Sequence, residues 1–172
     1  SAVFSYTSGP VAIRYPRGNG FGVPIKPMSF LPLGKGEIVK SGSDIAIIAL
    51  GTMVQQALKA SEELEKYDIS LEVINPRFIK PLDSELLLNL FSRFKHIITI
   101  EDSQKTGGFG TAVLEFAAEN DIKDTVFHIL GIPDKFIHHG TQEQLYRELE
   151  LDSDGIVKKV LSIIPSYEKS NF

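Results

Sequence analysis

The sequence contains no cysteine among its 172 residues and no long apolar segment. Without cysteine, disulfide bonds and thiolate chemistry are excluded. No apolar run approaches the roughly 20 residues that a membrane-spanning helix needs. Residues 1–6 lack the charged and then apolar order of a signal peptide. We therefore expect a cytoplasmic protein that has no membrane partner.

The chain also lacks an excess of positive charge. Its 18 lysines and arginines are outnumbered by 22 aspartates and glutamates, which gives a formal net charge of -4. The basic residues are scattered between acidic ones and form no stripe that would hold a nucleic-acid backbone. Nucleic acid is therefore not an expected partner. The length and the balanced composition indicate one globular domain with a short appendage.

Glycine and proline, in contrast, are concentrated near the start of the chain. Their density predicts that residues 1–33 form a linker with one short strand, Val11–Tyr15. From residue 34 onward apolar strands alternate with amphipathic helices, so we expect a domain over residues 34–165 and a polar tail over residues 166–172. Because the first residue is Ser1 and not methionine, we expect a processed start or a piece of a longer chain.

Apolar runs and helical periodicity predict the order of the elements. The predicted strands are Gly36–Lys40, Asp44–Leu50, Ser70–Ile74, His96–Ile100 and Val126–Leu130. The first predicted helix begins at a cap, Thr52, and ends at Lys66, and the second is Asp83–Phe94 with Asp83 or Ser84 as its cap. The third runs from the glycine turn at 107–110 to Asn120, and the last two are Gln142–Leu149 and Asp154–Ile163. This order predicts an α/β fold, a three-layer α/β/α sandwich whose five-stranded, mostly parallel sheet has one antiparallel edge strand. Such sheets bind ligands beyond the carboxyl ends of their strands, which makes 51–52, 75–80, 101–108 and 131–140 the candidate contact loops.

The segment RYPRGNG, from Arg14 to Gly20, is the most unusual part of the chain. Arg14 and Arg17 place two guanidinium groups three residues apart, and such a pair can bind a phosphate with two hydrogen bonds. The alternative is that the arginines tie a linker to the domain through surface ion pairs, which is the commoner role of surface arginines. The residues alone leave both interpretations open.

Three other features have weaker functional interpretations. The turn Gly107–Gly110 opens a helix and offers free N–H groups, but it matches neither the dinucleotide fingerprint nor the phosphate loop, so close packing or a contact with another domain is favoured. The adjacent His138 and His139 point to opposite sides of an extended chain, so we expect no metal site there. Arg77, in a strand-to-helix loop, is a candidate interface residue. The sequence contains no nucleophile elbow, and we predict no catalytic residue in it.

Taken in order, five stretches resemble the carboxy-terminal part of the 1-deoxy-D-xylulose-5-phosphate synthases, a family of the transketolase superfamily. They are GPVAIRYPRGNG (9–20), LPLGKGEIVKSGSDIAIIALGTMVQQAL (31–58), NPRFIKPLD (75–83), EDSQKTGGFGTAVLE (101–115) and GIPDKFIHHGTQEQLYRELELDSDGI (131–156). The resemblance covers nearly the whole chain. RYPRGNG and the last stretch are specific to the synthases, whereas the second and third stretches would equally suit the β subunits of 2-oxo acid dehydrogenases or transketolase itself.

The resemblance implies an activity for a larger enzyme. Synthases of this family use thiamine diphosphate to condense pyruvate with glyceraldehyde 3-phosphate, which gives 1-deoxy-D-xylulose 5-phosphate and carbon dioxide for isoprenoid, thiamine and pyridoxal synthesis. The family holds the cofactor and Mg²⁺ through a Gly-Asp-Gly…Asn motif that this sequence lacks. By the resemblance, both bind upstream of Ser1, residues 1–33 end the preceding pyrimidine-binding domain, and the piece alone is inactive.

The resemblance also assigns a site residue and partners. Arg17 matches the family residue that binds the phosphate of glyceraldehyde 3-phosphate, while Arg14 either joins it or fixes the linker. The expected partners are the upstream domains of the same chain and a second subunit in a homodimer. Two alternatives remain, namely the matching domain of a dehydrogenase β subunit or transketolase, and a free-standing assembly module.

Overall fold

The computed structural model describes residues 6, 8–15 and 30–164 of the chain. Within these residues five strands form one sheet: β1 (Glu37–Lys40), β2 (Ile45–Ala49), β3 (Leu71–Asn75), β4 (His96–Gln104) and β5 (Val126–Ile132). Their order across the sheet is β1-β3-β2-β4-β5. β1 runs antiparallel to β3, and the other neighbouring pairs are parallel. The predicted α/β fold, with its antiparallel strand at one edge, is confirmed.

In the same described residues, five helices cover the two faces of the sheet: α1 (Met53–Leu64), α2 (Ser84–Arg93), α3 (Phe109–Glu119), α4 (Gln142–Glu148) and α5 (Ser153–Ile163). A 3₁₀ turn, Glu65–Tyr67, continues α1. None of the helices in the described part of the chain has the length and apolar character needed to cross a membrane.

The central strand β2 explains why the protein has three layers. All five of its residues are buried, and alternate side chains of a strand point to opposite faces. Ile45 and Ile47 belong to a cluster with α1 and α5, whereas Ala46 and Ile48 belong to a second cluster with α2 and α3. The near-continuous apolar run that the sequence shows is therefore needed because both faces of the strand pack against helices.

Two helix starts are defined by side-chain caps. The Asp83 carboxylate accepts a hydrogen bond from the Leu86 N–H at 3.3 Å, so Asp83, and not Ser84, caps α2. The same carboxylate accepts from the Gly36 N–H at 3.0 Å, which ties β1 to α2. At α4, Thr141 and Gln144 form a reciprocal capping box that the sequence prediction did not identify.

Three local predictions were wrong. β4 continues to Gln104 and β5 to Ile132, because a register shift after Ile100 lets Gln104 pair with Ile132. The first half of the predicted loop 101–108 is therefore strand. Residues 11–15 are described but form no strand, because a strand needs a backbone partner and no described segment pairs with them.

Two histidines meet between β4 and β5. His96 Nδ1 and His128 Nε2 lie 3.2 Å apart, and the rings stack with centroids separated by 5.5 Å. Burial lowers the pKa of both imidazoles below the ordinary value of 6.5, and the charges of Lys95 and Lys159 act in the same direction. The folded protein therefore favours the neutral form of both histidines.

The first prediction concerns the second apolar cluster. Leu90 on α2 is fully buried, whereas Leu88 on the same helix is 40% exposed. We expect Leu90→Ala to reduce the free energy of unfolding by about 2–5 kcal/mol, because it leaves a cavity under the sheet. Leu88→Ala is the matched control and should cost less than about 1 kcal/mol. Urea unfolding of both variants measures the difference, and equal losses would contradict the assignment of the core.

The second prediction follows from the lowered pKa values of the histidine pair. The unfolded chain binds protons more readily than the folded one, so stability present above about pH 6.5 is lost as the pH falls below that value. The free energy of unfolding should decline between about pH 7.5 and about pH 5.5, and His128→Gln should make this decline shallower. His139→Gln, at an exposed position, is the control. An unchanged slope in His128→Gln would refute the prediction.

Candidate functional site

The candidate site lies beyond the carboxyl end of β2 and beside the last residues of the neighbouring parallel strand β4, at the edge of the sheet where ligands of such folds bind. It consists of four polar side chains, which we call the Asp102 cluster: Arg14, Thr52, Asp102 and Tyr146. Two of the predicted contact loops, 51–52 and 101–108, contribute to it. The cluster thus combines residues that are far apart in the sequence.

Thr52 reaches the cluster through a tight turn after β2. Gly51 has a φ of +62°, in the left-handed region that favours glycine, and this turn directs the chain into α1. The Thr52 hydroxyl donates to Oδ2 of Asp102 at 3.2 Å. Thr52 makes no capping bond to α1, contrary to prediction, because its own φ and ψ of -63° and -22° are helical and side-chain caps need an extended residue.

Tyr146, on α4, closes the cluster from the opposite side. Its hydroxyl donates to Asp102 Oδ2 at 3.2 Å and lies 3.2 Å from the Thr52 hydroxyl. Gln142, one turn earlier, donates to the same hydroxyl at 2.8 Å. Burial raises the pKa of the Tyr146 phenol above its ordinary value, and the Asp102 charge acts in the same direction. The phenol therefore remains protonated and serves as a hydrogen-bond donor.

Arg14 brings the segment that precedes the domain into contact with this cluster. Its Nη2 atom donates to the backbone oxygen of Asp102 at 3.1 Å and lies 3.2 Å from the carboxylate Oδ1. The Arg14 side chain is 54% exposed and that of Asp102 is 22% exposed. The contact joins residues 88 positions apart and places the Arg14 side chain beside the last residues of β4.

The glycine turn before α3 has no place for a phosphate. Glu101 is 1% exposed, and its carboxylate accepts the N–H groups of Phe109 and Gly110, each at 2.9 Å. The Ser103 hydroxyl donates to the same carboxylate. A Cβ atom on Gly108 would lie 2.5 Å from Glu101 Oε2, so glycine is required by close packing. The packing interpretation of this turn is therefore correct, and the phosphate interpretation is wrong.

At the start of α3, the described residues do not fit the diphosphate of the cofactor that the resemblance implies. The N-terminus of α3 is already occupied by the Glu101 carboxylate, which would repel a diphosphate. Among residues 6, 8–15 and 30–164, no group of three histidine or acidic side chains is arranged to hold a metal ion.

Arg77, His138 and His139 lie outside the Asp102 cluster. Arg17 falls outside the described residues. Arg77 has a φ of +58°, and its guanidinium pairs with Glu37 of β1, at the far edge of the sheet from β5. His138 packs edge-on against the exposed ring of Phe136, with centroids 5.7 Å apart, and His139 is exposed.

Sequence reasoning missed the roles of Asp102, Thr52 and Tyr146. A signal existed for the first two, because Thr52 follows β2 and Asp102 lies near the end of a second parallel strand, and such ends meet at one edge of a sheet. No signal existed for Tyr146, because nothing in the spacing of α4 tells where that helix packs.

Comparison with known proteins shows that the chain is similar to one domain of transketolase-type enzymes. A family model described as "Transketolase, C-terminal domain" matches residues 34–156. Over 95% of its length the chain is 43% identical to a 1-deoxy-D-xylulose-5-phosphate synthase of Geobacillus sp. (strain WCH70). It is 42% identical over the same share to the synthase of Bacillus cereus (strain AH187). In both cases the chain spans 26% of the length of the curated relative.

Solved structures show the same architecture. A split-gene transketolase, described as an inactive beta4 tetramer, is 31% identical with a TM-score of 0.73, over 82% of this chain and 46% of that one. A transketolase variant from Pichia stipitis has a TM-score of 0.57 over 79% of this chain and 19% of that one, and at 19% identity it shows the fold alone.

Proposed function

Because the chain belongs to the transketolase C-terminal domain family, we propose that it is the carboxy-terminal part of a thiamine-diphosphate-dependent 1-deoxy-D-xylulose-5-phosphate synthase. The complete enzyme condenses pyruvate with glyceraldehyde 3-phosphate and releases carbon dioxide. The observation that supports this most strongly is the 43% identity to a synthase over 95% of the chain. The similarity to the solved split-gene transketolase is lower, at 31% identity, which favours the synthase over transketolase itself.

Within that cytoplasmic enzyme the chain contributes binding and assembly and no catalytic group. We assign residues 1–33 to the end of the preceding pyrimidine-binding domain and its linker, residues 34–165 to the carboxy-terminal domain, and residues 166–172 to a tail. Thiamine diphosphate and Mg²⁺ bind to upstream domains, and the domain contacts those domains and a second subunit of a homodimer. The isolated chain is inactive.

Arg17 binds the phosphate of glyceraldehyde 3-phosphate in this proposal. A guanidinium group suits a phosphate because its planar set of N–H donors matches the phosphate oxygens. The phosphate is remote from the aldehyde that reacts, so its binding energy orients the aldehyde carbon toward the donor fragment and lowers the entropic cost of forming the carbon–carbon bond. Removing this contact should lower the activity with phosphorylated acceptors and leave the activity with unphosphorylated acceptors unchanged.

The third prediction tests Arg17 in the full-length enzyme. Arg17→Ala should lower kcat/KM for glyceraldehyde 3-phosphate by roughly 10- to 100-fold, because a charged hydrogen-bond partner of the phosphate is lost. The value for unphosphorylated D-glyceraldehyde should stay within about twofold, since that acceptor makes no such contact. Steady-state assays of carbon dioxide release with both acceptors measure the two effects.

Arg147→Ala is the matched control for this test. Arg147 is a 75% exposed arginine on α4 whose described partner is Glu143, one turn away, so its removal changes the net charge equally and breaks an ion pair within α4. Unchanged kinetics with glyceraldehyde 3-phosphate in Arg17→Ala would refute the assigned role. An equal loss in Arg147→Ala would show that the effect is one of general charge.

The fourth prediction concerns the isolated chain of 172 residues. Titration calorimetry with thiamine diphosphate and Mg²⁺ should show no binding, because the described residues provide neither a free helix N-terminus at α3 nor a cluster of three metal-ligating side chains. Incubation with pyruvate should release no carbon dioxide. Saturable binding of the cofactor to the isolated chain would overturn the assignment of the cofactor to upstream domains.

A further inference from the structure

We infer that His96 and His128 form a binding site for one divalent ion of the late first-row transition metals, Ni²⁺, Cu²⁺ or Zn²⁺, and that the bound ion clamps the edge strand β5 to β4. Neither histidine belongs to the Asp102 cluster. The inference rests on the geometry of described side chains and is independent of the proposed synthase activity.

The sheet itself places both imidazoles on one face. In the parallel register of β4 and β5, His128 lies opposite Ile98, and His96 comes two residues before Ile98. Residues two apart on a strand point to the same face, so the two histidines are diagonal neighbours. Both belong to strands that are hydrogen-bonded to each other, and the fold therefore sets the spacing of the pair.

The distance between the facing nitrogens suits two bonds to one metal ion. His96 Nδ1 and His128 Nε2 lie 3.2 Å apart. Two metal–imidazole bonds of about 2.0–2.1 Å that meet at about 90–110° separate their nitrogens by about 2.9–3.4 Å. An ion can therefore replace the hydrogen bond after small rotations of the rings. Both side chains are half-buried, so water can reach the remaining coordination positions.

The protonation state of the pair is also the one that a metal ion requires. Histidine binds metals as the neutral imidazole. Burial lowers the pKa of both rings, so protons compete little for the nitrogens near neutral pH. When the ion binds, the ring that donated the hydrogen bond carries its proton on its other nitrogen, and no net proton is released.

Positive charges next to the pair limit its affinity. Lys95 precedes His96, and Lys159 on α5 acts electrostatically on His128, so both ammonium groups repel a bound cation. Within the described ranges, no third histidine or acidic side chain completes the site. We therefore expect moderate affinity, with two protein ligands and water, and no closed structural site of the zinc-finger type.

The fifth prediction is tested with Cu²⁺ and the full-length enzyme in excess Mg²⁺, which prefers oxygen ligands and does not compete for imidazoles. Electron paramagnetic resonance at about pH 7.5, above the ordinary pKa of histidine, should show a Cu²⁺ signal with two nitrogen ligands. His128→Gln should weaken the binding of this ion at least about tenfold, since losing even an outer partner of a metal ligand costs about 10–100-fold. His96→Gln should give the same loss, and His139→Gln, at an exposed position, is the control.

A pair of lysine variants on α5 tests the location of the ion. Lys159→Gln should tighten the binding of Cu²⁺ about two- to threefold, because a charge that repels the ion is removed. Lys158→Gln is the matched control, because Lys158 is 73% exposed and pairs with Glu150. It removes the same charge from the neighbouring position and should leave the affinity unchanged.

Hydrogen–deuterium exchange measures the clamp without spectroscopy of the metal. Addition of Zn²⁺ should slow the exchange of amides in β5 of the wild-type enzyme, because an ion that binds only the folded strands opposes their local opening. The same addition should have no such effect in His128→Gln, whereas His139→Gln should behave like the wild type.

The outcomes that would overturn the inference are specific to this pair. Equal affinity for Cu²⁺ in the wild type and His128→Gln would show that any bound ion is adventitious. A loss in His139→Gln as large as that in His128→Gln, or β5 exchange that Zn²⁺ leaves unchanged, would also reject the site. None of these results bears on the synthase activity, because the kinetic tests of the proposed function use neither ion.

Discussion

The buried carboxylate of Glu101 is the interaction on which the arrangement of this edge of the molecule depends. A charge with 1% exposure is costly unless several donors satisfy it, and here the N–H groups of Phe109 and Gly110 and the hydroxyl of Ser103 do so. The carboxylate binds the end of β4 to the start of α3. Gly108 must lack a side chain because a Cβ there would lie 2.5 Å from the same carboxylate. The backbone at Asp102 is thereby fixed.

The Asp102 cluster is a consequence of this constraint and of the strand order. β2 and β4 are neighbours in the sheet although β3 and α2 lie between them in the sequence, and this brings the turn after β2 to the side of Asp102. α4 then places Tyr146 on the same carboxylate. A polar network of this kind is satisfied from several directions, so each member orients the others. Arg14 docks on a surface that the domain has already organised.

Much of the fold was predictable because its signals are local. The apolar run of β2, the helical periodicity of α1 and the acidic cap of α2 each depend on a few consecutive residues. The wrong predictions concern features that depend on pairing between residues far apart in the sequence. β4 and β5 extend past their apolar cores because Gln104 and Ile132 pair across a register shift, and residues 11–15 form no strand because no described segment pairs with them. Thr52 was predicted to cap α1, yet its dihedral angles are helical and its hydroxyl donates a hydrogen bond to Asp102.

The sequence by itself determined the fold class and the membership in the transketolase superfamily, because hydrophobic periodicity and family-specific stretches depend on consecutive residues. The tertiary structure alone decided that the glycine turn serves packing, because only there is Glu101 seen to occupy the α3 terminus. It alone joined Arg14, Thr52, Asp102 and Tyr146 into one network. Hydrogen bonds act over about 3 Å, and separation along the chain does not reveal which residues reach that distance.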